Sequence, residues 1–446
     1  MRPIRFCMLT TFYPPEGFGG DAIQVERLAR ALAERGHEVT VIHSSEAFRA
    51  LAGRREKAQA RRAASAGAAE RGGVRLISID AGAGVLSPLA TYLSGRPLAT
   101  RSKLTAVLEE GFDVLHFHNP SLLGGPALLE LGNGIKLYTA HEQWLTCPTH
   151  VLWKYKRRVC EKPQCWRCAA SYGRPPQLWR STGLLRRSVS QLDALIAPSR
   201  TTARLHERFA ALVRIERLGH FVPEGAKPTA AAELRPDGSP ADSPGLPERR
   251  RPYFLFVGRL EGIKGVETLL EPFRRRPSED LLIAGVGPRE GALRRMAAGM
   301  SNVHFLGWVA SEQLDGLYRG ALAVLVPTLG HESFGLVPVE AFARGTPAIV
   351  RGFGALAELA DESGAALTFQ TEQELEAALA RIAGDENLRR ELSERARAAY
   401  LERWTTDTHL RGYFQLIATL ARERGDSDLS RTAAALASPP SAEAQA

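Results

Sequence analysis

What this chain lacks narrows its class. Across 446 residues no stretch reaches the ~18 apolar residues needed to span a bilayer, because Gly, Pro or a charge breaks each candidate, and a helical membrane-spanning protein is excluded. Cysteine is scarce, at five, so no disulfide framework is expected to hold the fold. The N-terminus, MRPIRFCMLTTFYPPEGFGG, has neither the longer hydrophobic region nor the small-residue cleavage site of a signal peptide. Residues 4–10 are therefore expected to form a first strand, and the chain is expected in the cytoplasm. GFGG at 17–20 lacks the GxGxxG spacing, which excludes the dinucleotide-binding fingerprint.

What is present fits a soluble enzyme, with 44% hydrophobic and 24% charged residues, and the length suggests two domains of about 100 to 200 residues each. The net charge of +9 is concentrated. Between 151 and 187 there are ten Lys and Arg against one acid, Glu161, with Trp153, Tyr155, Trp166, Tyr172 and Trp179 interleaved. Such a surface can meet an anionic membrane, a phosphorylated lipid or nucleic acid, and it can equally be a solvated face whose Arg stems cover apolar neighbours.

In order, the first strand leads through a turn-rich loop holding Gly19 and Gly20 into a helix over about 22–35. Gly36 ends it before the strand HEVTVIH, so the chain opens as a βαβ unit. Residues 48–75, rich in Ala and Arg, read as a partly helical surface excursion. FDVLHFHN is a strand running into His116 and His118, and KLYTAHEQW is another with His141 just beyond, all at the strand ends where α/β sites form. Residues 225–250 are a Pro-, Gly- and Ser-rich linker. A second βα series then follows in YFLFVGRL, LLIAGVGP, VHFLGWV, ALAVLVPT and TPAIV, and residues 425–446 read as a disordered tail. The fold class is α/β, with two doubly wound domains over 1–224 and 251–403.

Four cysteines, Cys147, Cys160, Cys165 and Cys168, end in a CxxC among cations that favour thiolates, and they form a candidate structural zinc site. Their spacing is not a standard zinc pattern; an iron–sulfur cluster or free thiols are the other readings. Cys7 is expected to be buried in the first strand.

The densest chemistry lies at 325–350, LVPTLGHESFGLVPVEAFARGTPAIV. It reads as a strand end, a loop and a helix whose first turn carries Phe334, Gly335 and Leu336. Glu332 and Glu340, eight residues apart, would stand roughly 12 Å from each other at the helical rise. The free N–H groups of the helix mouth between them suit a phosphate. Gly258 and Arg259 end another strand, with Lys264 five residues on, a cation pair able to neutralise a diphosphate. Gly285 and Gly287 at the next strand end let a base or ribose approach the backbone.

GFGG, HFHN, AHEQW, VGRLEGIKG, AGVGP and above all HESFGLVPVEAFARGTPAIV resemble the GT-B glycosyltransferases of retaining family 4, over nearly the whole chain. The resemblance implies two Rossmann-like domains facing each other across a cleft, with the nucleotide sugar held mainly by the second. It implies a last helix, here about 404–420, that crosses back to the first domain. Arg259 and Lys264 are similar to the pair that holds the pyrophosphate, Glu332 to the carboxylate facing the donor sugar, and Phe334, Gly335 and Leu336 to the backbone amides at the helix mouth. Glu340 matches the ribose ligand, His141 the histidine that touches the sugar, and Gly20 the glycine near phosphate and acceptor. Glu142 departs from the Asp often found there.

The function so implied is retaining transfer of a hexosyl group from a GDP- or UDP-sugar to a glycan, lipid-linked or small-molecule acceptor. It proceeds without a protein nucleophile, and the phosphates need no metal. His116 and His118 are placed on the acceptor side. The basic excursion at 147–187 is expected to shape the acceptor site or to dock the enzyme as a peripheral protein on an anionic membrane; nucleic acid is not an expected partner. A sugar-nucleotide epimerase or hydrolase on the same scaffold, and a non-catalytic metal-binding member, are the competing readings.

Overall fold

The computed structural model describes residues 2–53, 73–224 and 251–438. The expected linker, most of the Ala/Arg-rich excursion and the last residues of the expected tail lie outside them. The chain divides into two compact units, one of Met1–His150, Cys165–His220 and Asp407–Ala446, the other of Val151–Gln164 and Phe221–Thr406.

The first unit holds a seven-stranded sheet. Its strands are β1 (Arg5–Thr10), β2 (Glu38–His43), β3 (Val74–Ser78), β4 (Val114–Asn119), β5 (Ile135–Thr139), β8 (Ala194–Ala197) and β9 (Arg214–Arg217). They are parallel throughout, in the order β3-β2-β1-β4-β5-β8-β9. β4 and β5 are buried along their whole length, as helix-covered parallel strands must be. The order reverses between β1 and β4, which makes the carboxyl ends of those two strands the switch point. Cys7 is buried in β1, and burial pushes its thiol far up.

The helix after β1, Gly20–Ala33, buries Val25, Leu28, Ala29 and Leu32 as its spacing predicts, but Ala22 completes the buried face where Ile23 was expected, and Ile23 is exposed. Helix Thr406–Glu423 belongs to this unit and buries Leu410, Tyr413, Phe414 and Ile417. The expected disordered tail is instead, over Ser427–Ala437, a helix capped by the Asp426 side chain. Leu429, Thr432 and Ala433 recur at helical spacing and are buried, so little apolar content suffices when it falls on one face.

The second unit is built on β10 (Tyr253–Val257), β11 (Asp280–Ala284), β12 (Val303–Gly307), β13 (Ala323–Val326), β14 (Ala348–Arg351) and β15 (Ala366–Phe369), ordered β12-β11-β10-β13-β14-β15 and parallel. Its switch point lies between β10 and β13. β15 and β9 are absent from the sequence reading because both are four-residue edge strands with half-exposed positions and no apolar run.

The basic excursion does not stay in one unit. Residues Val151–Gln164 belong to the second, as a hairpin of β6 (Trp153–Lys154) and β7 (Arg158–Val159). Tyr155 and Lys156 have φ of 55° and 58°, and Arg157 N donates to Lys154 O at 3.0 Å, a type I′ turn made without Gly or Asn. Trp153 anchors the hairpin on the loop after β13: its ring lies 3.5 Å from where a Cβ on Gly330 would stand.

Candidate functional site

In the second unit the loops after β10 and β13 flank the switch point. Lys264, in a 3-10 turn after β10, donates to Glu332 Oε1 at 2.6 Å, and Thr328 Oγ1 donates to the same oxygen at 3.0 Å. Burial pushes the Glu332 carboxyl up, but the Lys264 charge and the two hydrogen bonds outweigh it and leave it below the usual range. Arg259 is exposed and its Nε meets Glu261 at 2.9 Å. Each of the two cations read from the sequence therefore has a carboxylate of its own.

The helix after this loop is short, Leu336–Phe342, with Gly335 as its N-cap at φ 121°. Phe334 and Gly335 thus precede the helix rather than form its first turn. Glu332 also lies outside it, so the helical rise does not set its separation from Glu340. Phe334 is buried against Trp404, ring centres 6.4 Å apart, which gives it a packing role. Glu340 sits in the helix, and the hydroxyl of buried Tyr318 donates to its Oε2 at 2.9 Å. Tyr318 was not legible as a site residue, since it lies in an ordinary amphipathic helix, Ser311–Gly320, and only the fold brings it to Glu340. His331, beside Glu332, packs against Phe353 with ring centres 4.7 Å apart and planes tilted by 45°.

Gly285 and Gly287 have a structural reason. A Cβ on Gly285 would stand 1.8 Å from Gly258 O, and one on Gly287 2.5 Å from Leu260 O. The loops after β10 and β11 are laced by Gly258 N to Ala284 O and Leu260 N to Val286 O, both 3.0 Å. That close approach of backbone to backbone accounts for both glycines without a ligand.

In the first unit the switch point gathers histidines. His118 Nδ1 and His141 Nε2 are 2.8 Å apart; His116 meets Tyr413 Oη at 2.9 Å and Thr139 Oγ1 at 2.8 Å. His141 stacks on His220 at 4.8 Å, and His409 Nδ1 donates to Gly219 O at 2.8 Å. These rings, with Gln24 and Leu218, line a void of about 10 Å³, room for about one water. Burial pushes His141 and His409 down to about 4, and His116, His118 and His220 well below the usual imidazole value. All five are neutral near pH 7. Because His118 occupies Nε2 of His141, only Nδ1 of His141 is left for another partner.

Gly19, at φ 81°, caps helix Gly20–Ala33, and Asp21 follows in its first turn. Asn119 Nδ2, at the end of β4, donates to Asp21 Oδ2 at 3.2 Å. Burial, then the nearby Glu142 carboxylate, push the Asp21 carboxyl up to about 6. Glu142 Oε1 pairs with His150 Nδ1 at 2.6 Å. The sequence reading passed over Asp21 because an acid in a helix's first turn is ordinary capping chemistry.

Cys147, Cys160, Cys165 and Cys168 form the candidate zinc site. Cys147, Cys165 and Cys168 belong to the first unit and Cys160 to the second. Cys147 and Cys168 are buried while Cys165 is exposed. Among the described residues no group of three or more His, Cys, Asp or Glu is disposed to hold a metal ion. Helix Cys165–Ser171 carries Cys165 and Cys168 of the CxxC, and burial, then the Cys147 thiolate charge, push the Cys165 thiol up.

Two doubly wound parallel sheets, with a carboxylate and cation cluster at the second switch point, define a GT-B type α/β protein. The glycosyl transferases group 1 family matches residues 241–399, and glycosyltransferase family 4 matches 18–222. The chain belongs to this family of group 1, family 4 glycosyltransferases. It is similar to a D-inositol 3-phosphate glycosyltransferase of Corynebacterium jeikeium, 35% identical over 34% of this chain and 40% of that one. Matching stretches span half or less of such curated relatives, from 26% to 50% of their lengths. The fold is shared with a sucrose-phosphate synthase from Thermosynechococcus elongatus, at a TM-score of 0.68 and 20% identity over 94% of this chain and 100% of that one. It is shared also with Anabaena HepE in complex with UDP, at 0.64 and 15% over 93% and 100%.

Proposed function

We propose that the chain is a retaining glycosyltransferase that moves a hexosyl group from a nucleotide-diphosphate sugar to a glycan or lipid-linked acceptor, working as a peripheral protein at an anionic membrane. The observation that carries this reading is the set of Arg259, the Lys264–Glu332 pair and the Tyr318–Glu340 pair around one switch point. Neighbours in fold support the donor class: HepE is known in complex with UDP-glucose and starch synthase IV bound to ADP and acarbose. A relative named for lipopolysaccharide core biosynthesis supports a lipid-linked acceptor.

In this reading Arg259 and Lys264 turn from their carboxylate partners to the diphosphate, whose charge grows as the glycosidic bond breaks. Cations at fixed positions then supply what a metal would. Lys264 released from Glu332 leaves that carboxylate to face the sugar hydroxyls. Glu340, aimed by Tyr318, accepts from the ribose hydroxyls. The backbone N–H groups at 334–336 hold a phosphate oxygen. In the first unit, His141 meets the sugar through Nδ1 while neutral, and Asp21 is assigned to the acceptor. The leaving diphosphate takes the acceptor proton, so no protein nucleophile is named.

A thermal-shift screen of UDP-, GDP- and ADP-sugars tests the donor assignment. The right donor at about 100 times its dissociation constant stabilises by ~2.7 kcal/mol, and Arg259→Ala and Glu340→Ala remove most of the shift. No shift with any donor, or an equal shift in both variants, overturns the reading.

A further inference from the structure

Helix Leu86–Ser94 of the first unit is turned inside out. It buries Ser87, Pro88 and Thr91 and shows its leucines to solvent. Leu86 is 66% exposed and Leu89 38%, with Val85 before the helix at 58% and Leu98 after it at 63%. Leu86, Leu89 and Leu93 fall at the spacing of one helix face. Two neighbours extend that face. The turn Leu178–Ser181 is tied to the helix by Trp179 Nε1, which donates to Tyr92 O at 3.0 Å, and presents Leu178 at 56%. Helix Ser45–Leu51 packs beside it and presents Leu51 at 60%. Of thirteen large apolar side chains exposed among the described residues, six lie on or next to these three elements.

The charge around this face is mostly positive. Residues 81–108 contain Arg96, Arg101 and Lys103 and no acid; residues 165–192 contain Arg167, Arg174, Arg180, Arg186 and Arg187 and no acid. The acids beside it are Asp80, paired with Arg49, and buried Glu46, so cations are in excess, and such an apolar stripe is complementary to a surface that is apolar inside and anionic at its headgroups. Nine residues at ~1.5 Å each reach about half of a hydrocarbon core, so the helix can lie in the interface and cannot cross it.

We infer that helix Leu86–Ser94, with Val85, Leu98 and Leu178, is a membrane-docking face that inserts its leucines into an anionic lipid bilayer. The inference deepens the proposed work on a lipid-linked acceptor and rests on that reading. It narrows the docking surface expected over 147–187 to an apolar face that takes in Leu178 and leaves out the Trp153–Val159 hairpin, which belongs to the other unit.

The test is co-sedimentation of the full chain with vesicles of phosphatidylcholine alone and of phosphatidylcholine mixed with phosphatidylglycerol. Wild type is expected to bind the mixed vesicles, with binding reduced at least tenfold in Leu86→Ser/Leu89→Ser and markedly in Arg96→Glu/Arg101→Glu. Melting temperatures of both variants are measured beside wild type, so that a loss of fold is told apart from a loss of docking. Failure of wild type to bind, or equal binding by the leucine variant, overturns the inference. So does a wild-type dimer that the leucine variant converts to monomer, which would make the face a contact between copies. Vesicle binding without any nucleotide-sugar shift would sink the transferase reading and leave the docking face standing.

Discussion

Lys264 Nζ and Glu332 Oε1 lie 2.6 Å apart, so a cation assigned to the donor diphosphate and a carboxylate assigned to the donor sugar hold each other in this structure. The pair also sets the charge state of Glu332, whose burial alone would raise its pKa. Lys264→Met leaves that carboxylate with Thr328 only. It is expected to cost about 1–3 kcal/mol at pH 7, the range for a buried acceptor deprived of its partner. The sign with pH follows from the lowered folded-state value. Wild-type stability from this group is present above the ordinary carboxylate range and fades as pH falls through the lower folded value. Urea melts of both proteins at pH 7 and pH 3 should show the gap closing in acid; a gap that persists would deny the pair its role.

Tyr318 bears on the nucleotide by aiming Glu340. Removing its hydroxyl in Tyr318→Phe should weaken donor binding about tenfold, the equivalent of ~1.4 kcal/mol, and leave kcat at saturating donor close to wild type. A change in kcat with unchanged donor affinity would place Tyr318 elsewhere in the reaction. Titration calorimetry with the donor found by thermal shift makes the distinction.

These two pairs also show what the sequence could carry. Arg259, Lys264, Glu332 and Glu340 were legible because each sits at a strand end or beside a helix start, where spacing along the chain predicts position in the fold. Tyr318 and Asp21 were not, because their significance comes from a partner 22 and 98 residues away, Glu340 and Asn119. The strands with continuous apolar runs were readable, whereas edge strands β9 and β15 and the helix Ser427–Ala437 lacked a run or strong composition.

The buried histidines make stability sensitive to mild acid. Their folded values, about 4 for His141 and His409 and well below 6.5 for His116, His118 and His220, lie under the unfolded value near 6.5. Between those limits the unfolded chain binds more protons, so stability is full above about 6.5 and is lost as pH falls toward 4. Each histidine contributes up to about 1.4 kcal/mol per pH unit in that window. His409→Gln, which can still donate to Gly219 O, should flatten the decline measured by urea melts from pH 7 to pH 5. An unchanged slope would mean that the ring titrates freely.

Asp21 carries the opposite sign. Its folded value of about 6 lies above the ordinary aspartate value, so the protein favours the protonated acid and ionisation opposes folding. Stability from this group is present below about 4 and is lost as pH rises through about 6. Asp21→Asn removes the cost while keeping a side chain that can bond Asn119 and start the helix. It is expected to raise stability at pH 8 by ~1–3 kcal/mol and to bring no gain near pH 3.5. If Asp21 serves the acceptor as proposed, the same variant loses at least tenfold in kcat/KM for the acceptor while its donor-induced thermal shift stays at the wild-type value. Wild-type activity then rises with an apparent pKa near 6 that the variant lacks. A gain in stability with unaltered acceptor kinetics would make Asp21 a strained cap and remove it from the site, because only a group that meets the acceptor can couple its ionisation to that step.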